Sequence, residues 1–282
     1  MVDATGTYGN PNWLGRGGKP ALGERALRRQ GIIHYKLPTP DEADCMLRDG
    51  GVIVVVGSGA SAITTLALLR QRYTSASPCK VVWMTRRPGA PYTLIADDPL
   101  PQRSALHTLG NDLAAAATTT AGETSKELQV EHRGGVQVSS LFRGGDGEDC
   151  VIEVTGLAPS TDETIVVGAR HVIAHVGYRP NTEITRELQV HYCWASEGPM
   201  KLAAARLSGG GGGSGDCLAQ VSHGAATMLN PEPAFFVVGM KTYGRGSSFL
   251  LRIGHEQVQQ IFSLLVGEEA AAATTGEADE GR

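Results

Sequence analysis

The chain has 282 residues, of which 41% are hydrophobic, 19% charged and 5% aromatic, which suffices for one large or two small cores and excludes a fibrous or wholly disordered protein. The formal net charge is −4, and residues 268–282 account for all of it with five acidic residues against one arginine. Because the remaining chain is neutral, neither nucleic acid nor a membrane surface is expected as a partner.

Residues 1–50 are interrupted by glycine and proline. They predict an inter-domain connection, together with the end of one half of a second domain. Within them, residues 2–6 are typical of a strand that ends in a turn, and residues 31–37 are the one extended piece.

Residues 51–176 predict a dinucleotide-binding domain. The apolar, β-branched run 52–56 indicates a parallel strand buried on both faces. Helical periodicity over 63–72 and a second strand over 80–84 complete a strand-helix-strand unit. An Ala/Thr-rich stretch over 113–124 follows and is predicted to be either helical or flexible. Turn residues then separate short extended pieces that predict antiparallel strands, at 128–132, 136–141, 151–155 and 165–167. Another strand is predicted over 171–176.

Residues 177–267 predict the last part of a second domain. They contain a helix over 197–207, a glycine-rich insertion at 208–215, a buried strand over 234–238 and a helix over 247–266. The tail 268–282 is predicted to be disordered.

A glycine motif follows the first buried strand, with the residues Gly57, Ser58, Gly59, Ala60, Ser61 and Ala62. Gly57 permits a tight turn, Gly59 lets a pyrophosphate approach the backbone, and Ala62 lets the helix pack closely on the strand. The amide groups that open the helix would then face an anion. A ligand-free glycine turn is the alternative.

Two arginines, Arg86 and Arg87, follow the second strand, where a protein that selects NAD would carry Asp or Glu. Their charge favours the 2′-phosphate of NADPH, and solvated arginines at a strand end are the alternative. Other chemistry finds little support. The five cysteines form no C-x-x-C pair and are expected to be reduced thiols, and the eight histidines show no metal-ligand spacing, so no metal site is predicted.

An Ala-Thr-Gly turn at 4–6, the glycine motif and the Arg-Arg pair, in this order, resemble the flavoproteins with two dinucleotide-binding domains: flavin-containing monooxygenases, lysine and ornithine N-hydroxylases and thioredoxin reductases. The resemblance spans most of residues 1–266. It implies an α/β fold in which a Rossmann-like NAD(P)-binding domain, with a parallel sheet and an antiparallel excursion, is inserted into an FAD domain. It also implies that Thr5, Gly6 and Gly239 lie near FAD.

The chain departs from this family in two respects. The first FAD glycine motif should precede the Ala-Thr-Gly turn, so we expect an N-terminally truncated member that retains a remnant of the FAD domain and whose missing half is a possible partner. After Gly239, Met240 and Lys241 replace an acidic residue that many relatives place near the flavin. A role for Lys241, Tyr243 and Arg245 near flavin or substrate is one hypothesis, and an ordinary polar loop is the other.

The resemblance implies a monooxygenase-like, NADPH-dependent flavin oxidoreductase that transfers hydride from NADPH to FAD, with no identifiable catalytic residue or substrate. The alternative is a non-catalytic NADP-binding module or fragment without flavin. A Rossmann dehydrogenase would need a Tyr-x-x-x-Lys or catalytic His site, which the sequence lacks. Since no apolar run approaches the roughly 20 residues of a membrane helix and no secretory signal is present, we expect a cytoplasmic protein.

Overall fold

The structure, a computed structural model, describes residues 1–74, 79–116, 127–144, 151–158, 160–208 and 222–276, with side chains described as far as residue 267. The chain forms two compact units. Asn12–Val176 is the central unit, and Met1–Pro11 together with Gly177–Arg282 is the split unit. No helix within the described ranges has the length and hydropathy to cross a membrane.

The central unit is built on a five-stranded sheet whose strands all run parallel. In chain order the strands are β2 (Ile33–His34), β3 (Gly51–Val56), β4 (Cys79–Thr85), β5 (Gln129–Gly134) and β9 (His171–Ala174). Their order across the sheet is β2-β9-β3-β4-β5, so β3 lies in the centre. Ile53, Val54 and Val55 are fully buried, as the uninterrupted apolar run predicts for a strand covered on both faces.

Helices cover one face of this sheet. They are α2 (Pro40–Arg48), α3 (Ala60–Arg72) and α4 (Pro101–Ala116), which share a hydrophobic core with β3 and β4, while the shorter α1 (Glu24–Arg29) lies earlier in the chain. The predicted strand-helix-strand unit is confirmed, because α3 connects β3 to the parallel strand β4. Helix α4 was predicted only at its C-terminal end.

An antiparallel sheet packs on the other face. It consists of β6 (Gln137–Gly144), β7 (Val151–Ala158) and β8 (Glu163–Ala169), and its apolar side chains share a second core with those of the parallel sheet. The predicted antiparallel excursion is confirmed for these three strands. It is wrong for β5, which pairs in parallel with β4, Val130 opposite Val81. The predicted fold class, α/β with a parallel sheet and an antiparallel excursion, is therefore confirmed.

Residues 12–50 belong to the central unit, so the predicted boundary at residue 50 lies inside this unit. Two structural reasons explain the difference. Strand β2 extends the parallel sheet by pairing with β9. The buried carboxylate of Glu24 accepts hydrogen bonds from the amides of Leu14 and Ala21, both at 2.8 Å, which fixes the turns before α1.

The split unit contains a parallel pair of short strands, β1 (Val2–Asp3) and β10 (Phe236–Val237), and the helices α5 (Met200–Ser208) and α6 (Leu251–Gly276). Short 3₁₀ helices lie at Arg16–Gly18 in the central unit and at Glu183–Thr185, Ala225–Met228 and Gly239–Tyr243 in the split unit. Helix α6 continues into the predicted disordered tail, in keeping with the high helix propensity of its alanines. Residues 277–282 and nearly all of the predicted 208–215 insertion lie outside the described residues.

Candidate functional site

The glycine turn begins at Gly57, directly after the central strand β3. Its φ is +128°, and a Cβ at this position would lie 2.1 Å from the carbonyl oxygen of His175. The amide of Gly57 donates to the carbonyl of Met84 at 3.0 Å. Only glycine fits at this position, because the backbone leaves the strand with a positive φ and lies directly against the backbone of His175.

Two aromatic residues that the sequence analysis did not select hold the carbonyl groups of this turn. Trp83 is fully buried on β4 and donates from Nε1 to the carbonyl of Gly57 at 2.8 Å. The hydroxyl of Tyr92 donates to the carbonyl of Gly59 at 3.4 Å. Both contacts join residues that are distant in sequence, so no local pattern could have indicated them.

The amide groups at the start of α3 are available to a ligand. Gly59 is the N-cap, and the amides of Ala62 and Ile63 are the first to bond back to its carbonyl, at 3.0 and 3.4 Å. Within the described part of the chain, no hydrogen bond uses the four preceding amides, those of residues 58–61. A Cβ at Gly59 would meet nothing within 4 Å. Exposed donors at the positive end of a 13-residue helix form a ready anion site.

Arg86 and Arg87 lie at the same edge of the sheet, because Met84 of β4 pairs with Val56 of β3. Both side chains are exposed, and among the described residues neither guanidinium has an ion-pair partner. The structure therefore brings the glycine motif and the arginine pair together at the carboxyl ends of neighbouring parallel strands, where α/β sheets bind ligands.

His175 lies behind the glycine turn and is 8% exposed. Its Nε2 contacts the hydroxyl of Thr65 at 2.7 Å, and burial lowers its pKa from 6.5 to about 4. Because the unfolded chain binds this proton more readily, folding stability should fall as the pH drops from 6.5 to 4, by about 3 kcal/mol. Denaturant unfolding at several pH values checks this, and His175→Gln should flatten that part of the profile. An unchanged profile in the variant would contradict it.

In the split unit, the turns that contain the residues predicted to lie near flavin follow two paired strands, since Asp3 of β1 lies opposite Val237 of β10. The hydroxyl of Thr5 donates to Asp3 Oδ1 at 2.7 Å, and the amide of Gly239 donates to Gln257 Oε1 at 2.9 Å. Gly6 and Gly239 have φ values of +68° and +74°, and a Cβ on either would meet nothing within 4 Å. Both turns are thus open at their glycines, while the donors of Thr5 and Gly239 are used within the unit.

Lys241 is not positioned as an exposed ligand group. It is fully buried, and its Nζ donates to Asp3 Oδ2 at 2.5 Å and to the hydroxyl of Thr5 at 3.2 Å. Lys241 is therefore not part of an ordinary polar loop, and its role near flavin or substrate stays a prediction. Tyr243 is also buried, whereas the Arg245 side chain is 42% exposed and lies 4.0 Å from Glu197.

The described residues contain no group of three or more His, Cys, Asp or Glu that could hold a metal ion. Cys45, Cys79 and Cys193 are free thiols. Cys150 and Cys217 lie outside the described residues.

The parallel sheet, the glycine turn after its central strand and the antiparallel excursion together define a Rossmann-type dinucleotide-binding fold. No protein-family model and no curated protein matches the chain. Solved structures do match it, and thioredoxin reductase, one of the enzymes the sequence resembles, is among them. The chain is therefore similar in fold to thioredoxin reductase, in agreement with the resemblance.

Three of the similar structures give the extent of the likeness. Bacillithiol disulfide reductase Bdr from Bacillus cereus matches 95% of this chain with a TM-score of 0.59 and 15% identity, over 61% of its own length. The Staphylococcus aureus enzyme matches 95% of this chain with a TM-score of 0.55 and 16% identity, over 62% of its own length. Thioredoxin reductase from T. acidophilum matches 94% of this chain with a TM-score of 0.55 and 14% identity, over 65% of its own length. The chain thus spans less than two thirds of each of these proteins, and the likeness at this identity is one of fold.

Proposed function

We propose that this chain binds NADPH and belongs to an NADPH-dependent flavin oxidoreductase. One observation supports the proposal above others. At the start of α3, the four amides of residues 58–61 have no hydrogen-bond partner among the described residues. At the same edge of the sheet, Arg86 and Arg87 are exposed, and their guanidinium groups have no ion-pair partner among those residues. A dinucleotide with an extra phosphate matches this distribution of donors and charge.

The residues of the central unit fit each phosphate of this cofactor. The amides of Ser58–Ser61 would hold the pyrophosphate, and the open face of Gly59 leaves room for it next to the backbone. Arg86 and Arg87 would hold the 2′-phosphate through charge-assisted hydrogen bonds. When bound, NADPH supplies a hydride, and the protein contributes orientation and exclusion of water.

The residues of the split unit fit flavin only in part. Gly6 and Gly239 leave open space, but the hydroxyl of Thr5 and the amide of Gly239 already have partners. The similar structures include reductases of bacillithiol disulfide and of thioredoxin, as their names state. The absence of a C-x-x-C pair from the sequence favours a monooxygenase-like reaction of the flavin over a dithiol mechanism.

A second candidate function is an NADP-binding module that holds no flavin by itself. The internal use of Thr5 and Gly239 favours it, as does the fact that β1 and β10 form a sheet of two strands in the described part of the split unit. Purified protein separates the two candidates. A flavin absorption spectrum and NADPH oxidation with added FAD support the oxidoreductase, whereas colourless protein that binds NADPH supports the module.

The arginine pair makes a direct prediction about coenzyme choice. Arg86→Ala with Arg87→Ala should raise the NADPH dissociation constant at least tenfold, because one lost charge-assisted contact costs about 1.5–3 kcal/mol. The NADH dissociation constant should hardly change, since NADH lacks the 2′-phosphate. Isothermal titration calorimetry with each coenzyme measures both values.

A charge-matched control is available on helix α1. Arg25→Ala with Arg29→Ala removes two exposed positive charges elsewhere in the central unit and should leave both affinities unchanged. An equal loss of NADPH and NADH affinity in the Arg86/Arg87 variant would contradict the 2′-phosphate role. No heat from either coenzyme with the unaltered chain would overturn the proposed function.

A further inference from the structure

The two arginines lie in a six-residue segment, 86–91, here called the arginine segment, which is fixed at its start. The hydroxyl of Thr85 donates to the carbonyl of Arg87 at 3.1 Å. The end of β5 packs against this carbonyl group, since a Cβ on Gly134 would be 3.2 Å from the carbonyl oxygen of Arg87. Pro88 and Pro91 further restrict the backbone.

The end of the arginine segment is fixed by one side chain of α4. Asn111 Oδ1 accepts from the amide of Tyr92 at 3.0 Å, and Asn111 Nδ2 donates to the carbonyl of Tyr92 at 2.9 Å. Both backbone polar groups of Tyr92 are therefore bound to a single amide group. Such a paired contact fixes position and orientation together.

The ring of Tyr92 is held in a slot beside the same helix. A Cβ on Gly110 would lie 2.3 Å from this ring, so glycine is needed to make the slot. His107 stacks on the ring at 4.8 Å between centroids and 19° between planes, and Trp83 lies on it at 6.3 Å and 25°. Only 8% of Tyr92 remains exposed.

A second anchor lies six residues further along the loop. Arg103 Nε and Nη2 donate to the two carboxylate oxygens of Asp98, at 2.8 and 2.5 Å, and Asp98 Oδ1 also accepts from the amide of Leu100 at 2.9 Å. The anchoring residues Arg103, His107, Gly110 and Asn111 follow the i, i+4, i+7, i+8 spacing of one helix face. We call this set the anchoring face of α4.

We propose that the anchoring face of α4 sets the selectivity for the 2′-phosphate, with Asn111 as a positioning residue that acts through Arg86 and Arg87. The inference rests on the proposed function. Exposed arginines lose rotational freedom when they grip a phosphate, and a segment fixed at both ends has already lost the backbone part of that freedom. Release of the Tyr92 backbone should therefore weaken the grip on the 2′-phosphate. The Tyr92 ring stays held by Gly110 and His107, so its hydroxyl keeps its contact with the carbonyl of Gly59, and the pyrophosphate contacts at residues 58–61 remain intact.

A double-mutant cycle tests this coupling. Asn111→Ala should raise the NADPH dissociation constant about fivefold, because the freed backbone must then be ordered again on binding, and leave the NADH value within error. In a chain that already carries Arg86→Ala and Arg87→Ala, the same substitution should have no further effect on NADPH. Thr108→Ala, an uncharged change at an exposed position of α4, is the matched control and should affect neither coenzyme.

The outcomes of the cycle distinguish the positioning role of Asn111 from the proposed function. An equal loss for NADPH and NADH, a loss that persists without the arginines, or no loss at all would overturn the positioning role while leaving the proposed function in place. Failure of the unaltered chain to bind either coenzyme would overturn both. If Asn111→Ala does not fold, Asn111→Leu keeps the approximate size of the side chain, makes neither hydrogen bond to Tyr92 and should reduce NADPH affinity in the same selective way.

Discussion

Replacement of Gly57 by alanine should abolish NADPH binding and lower the free energy of unfolding of the central unit by about 3 kcal/mol. The new Cβ would stand 2.1 Å from the carbonyl oxygen of His175, at a φ of +128° that alanine does not adopt without strain. The carbonyl cannot move aside freely, because the His175 amide is bonded to Val56 at 2.8 Å. Urea unfolding and calorimetric titration with NADPH measure the two effects.

Gly59→Ala is the matched comparison. Gly59 has a φ of −85°, and its added Cβ would meet nothing within 4 Å, so stability should fall by no more than about 1 kcal/mol, the usual cost of alanine at an N-cap. NADPH binding should nevertheless weaken strongly, since the methyl group would occupy the space assigned to the pyrophosphate. Normal affinity in this folded variant would show that the pyrophosphate lies elsewhere.

Lys241→Met should destabilise the split unit by about 3–5 kcal/mol, because it leaves the buried carboxylate of Asp3 without its ionic partner. The Asp3 side chain is 1% exposed and that of Lys241 is 0% exposed, so water cannot replace the lost contact. Denaturant unfolding of the variant measures the loss. Asp3→Asn with Lys241→Met removes both charges and should recover most of it. A double variant as unstable as the single one would mean that packing around Lys241, not charge, is responsible.

The same ion pair makes the split unit sensitive to acid. Burial raises the pKa of Asp3, but hydrogen bonds from Lys241 and Thr5 outweigh it and hold the pKa below its ordinary value of 3.8. Since the folded pKa is lowered, the stabilisation is complete above pH 3.8 and is lost as the pH falls through the folded value. In Lys241→Met burial would dominate, and we expect the loss to begin at a higher pH.

Features encoded in short stretches of sequence could be predicted. The run over residues 52–56, the glycines after it and the periodicity of α3 each report on local backbone geometry, and together they define the unit that carries the candidate site. Helix α2 was missed although its signal is local. Thr39 and Glu42 form a capping box, with Pro40 as the first helical residue.

Features set by tertiary contacts could not be predicted. The sequence of β5 has the same short extended pattern as the strands that follow it, and only its pairing with β4 assigns it to the parallel sheet. Lys241 follows a buried strand, as a ligand-binding residue would, and its pairing with Asp3 spans 238 positions in the chain. The clamp between Asn111 and Tyr92 likewise depends on where α4 packs, which hydrophobic periodicity does not specify.

The hydrogen bond from Trp83 to Gly57 gives this protein a built-in optical reporter. Indole emission shifts in wavelength and intensity when its N–H partner or local polarity changes, and this indole is bonded to the backbone of the turn that would receive the coenzyme. With Trp13 and Trp194 changed to phenylalanine, Trp83 would be the single remaining tryptophan, and its emission under excitation selective for tryptophan would follow occupancy of the turn in real time. Association and release could then be timed without labelling either molecule.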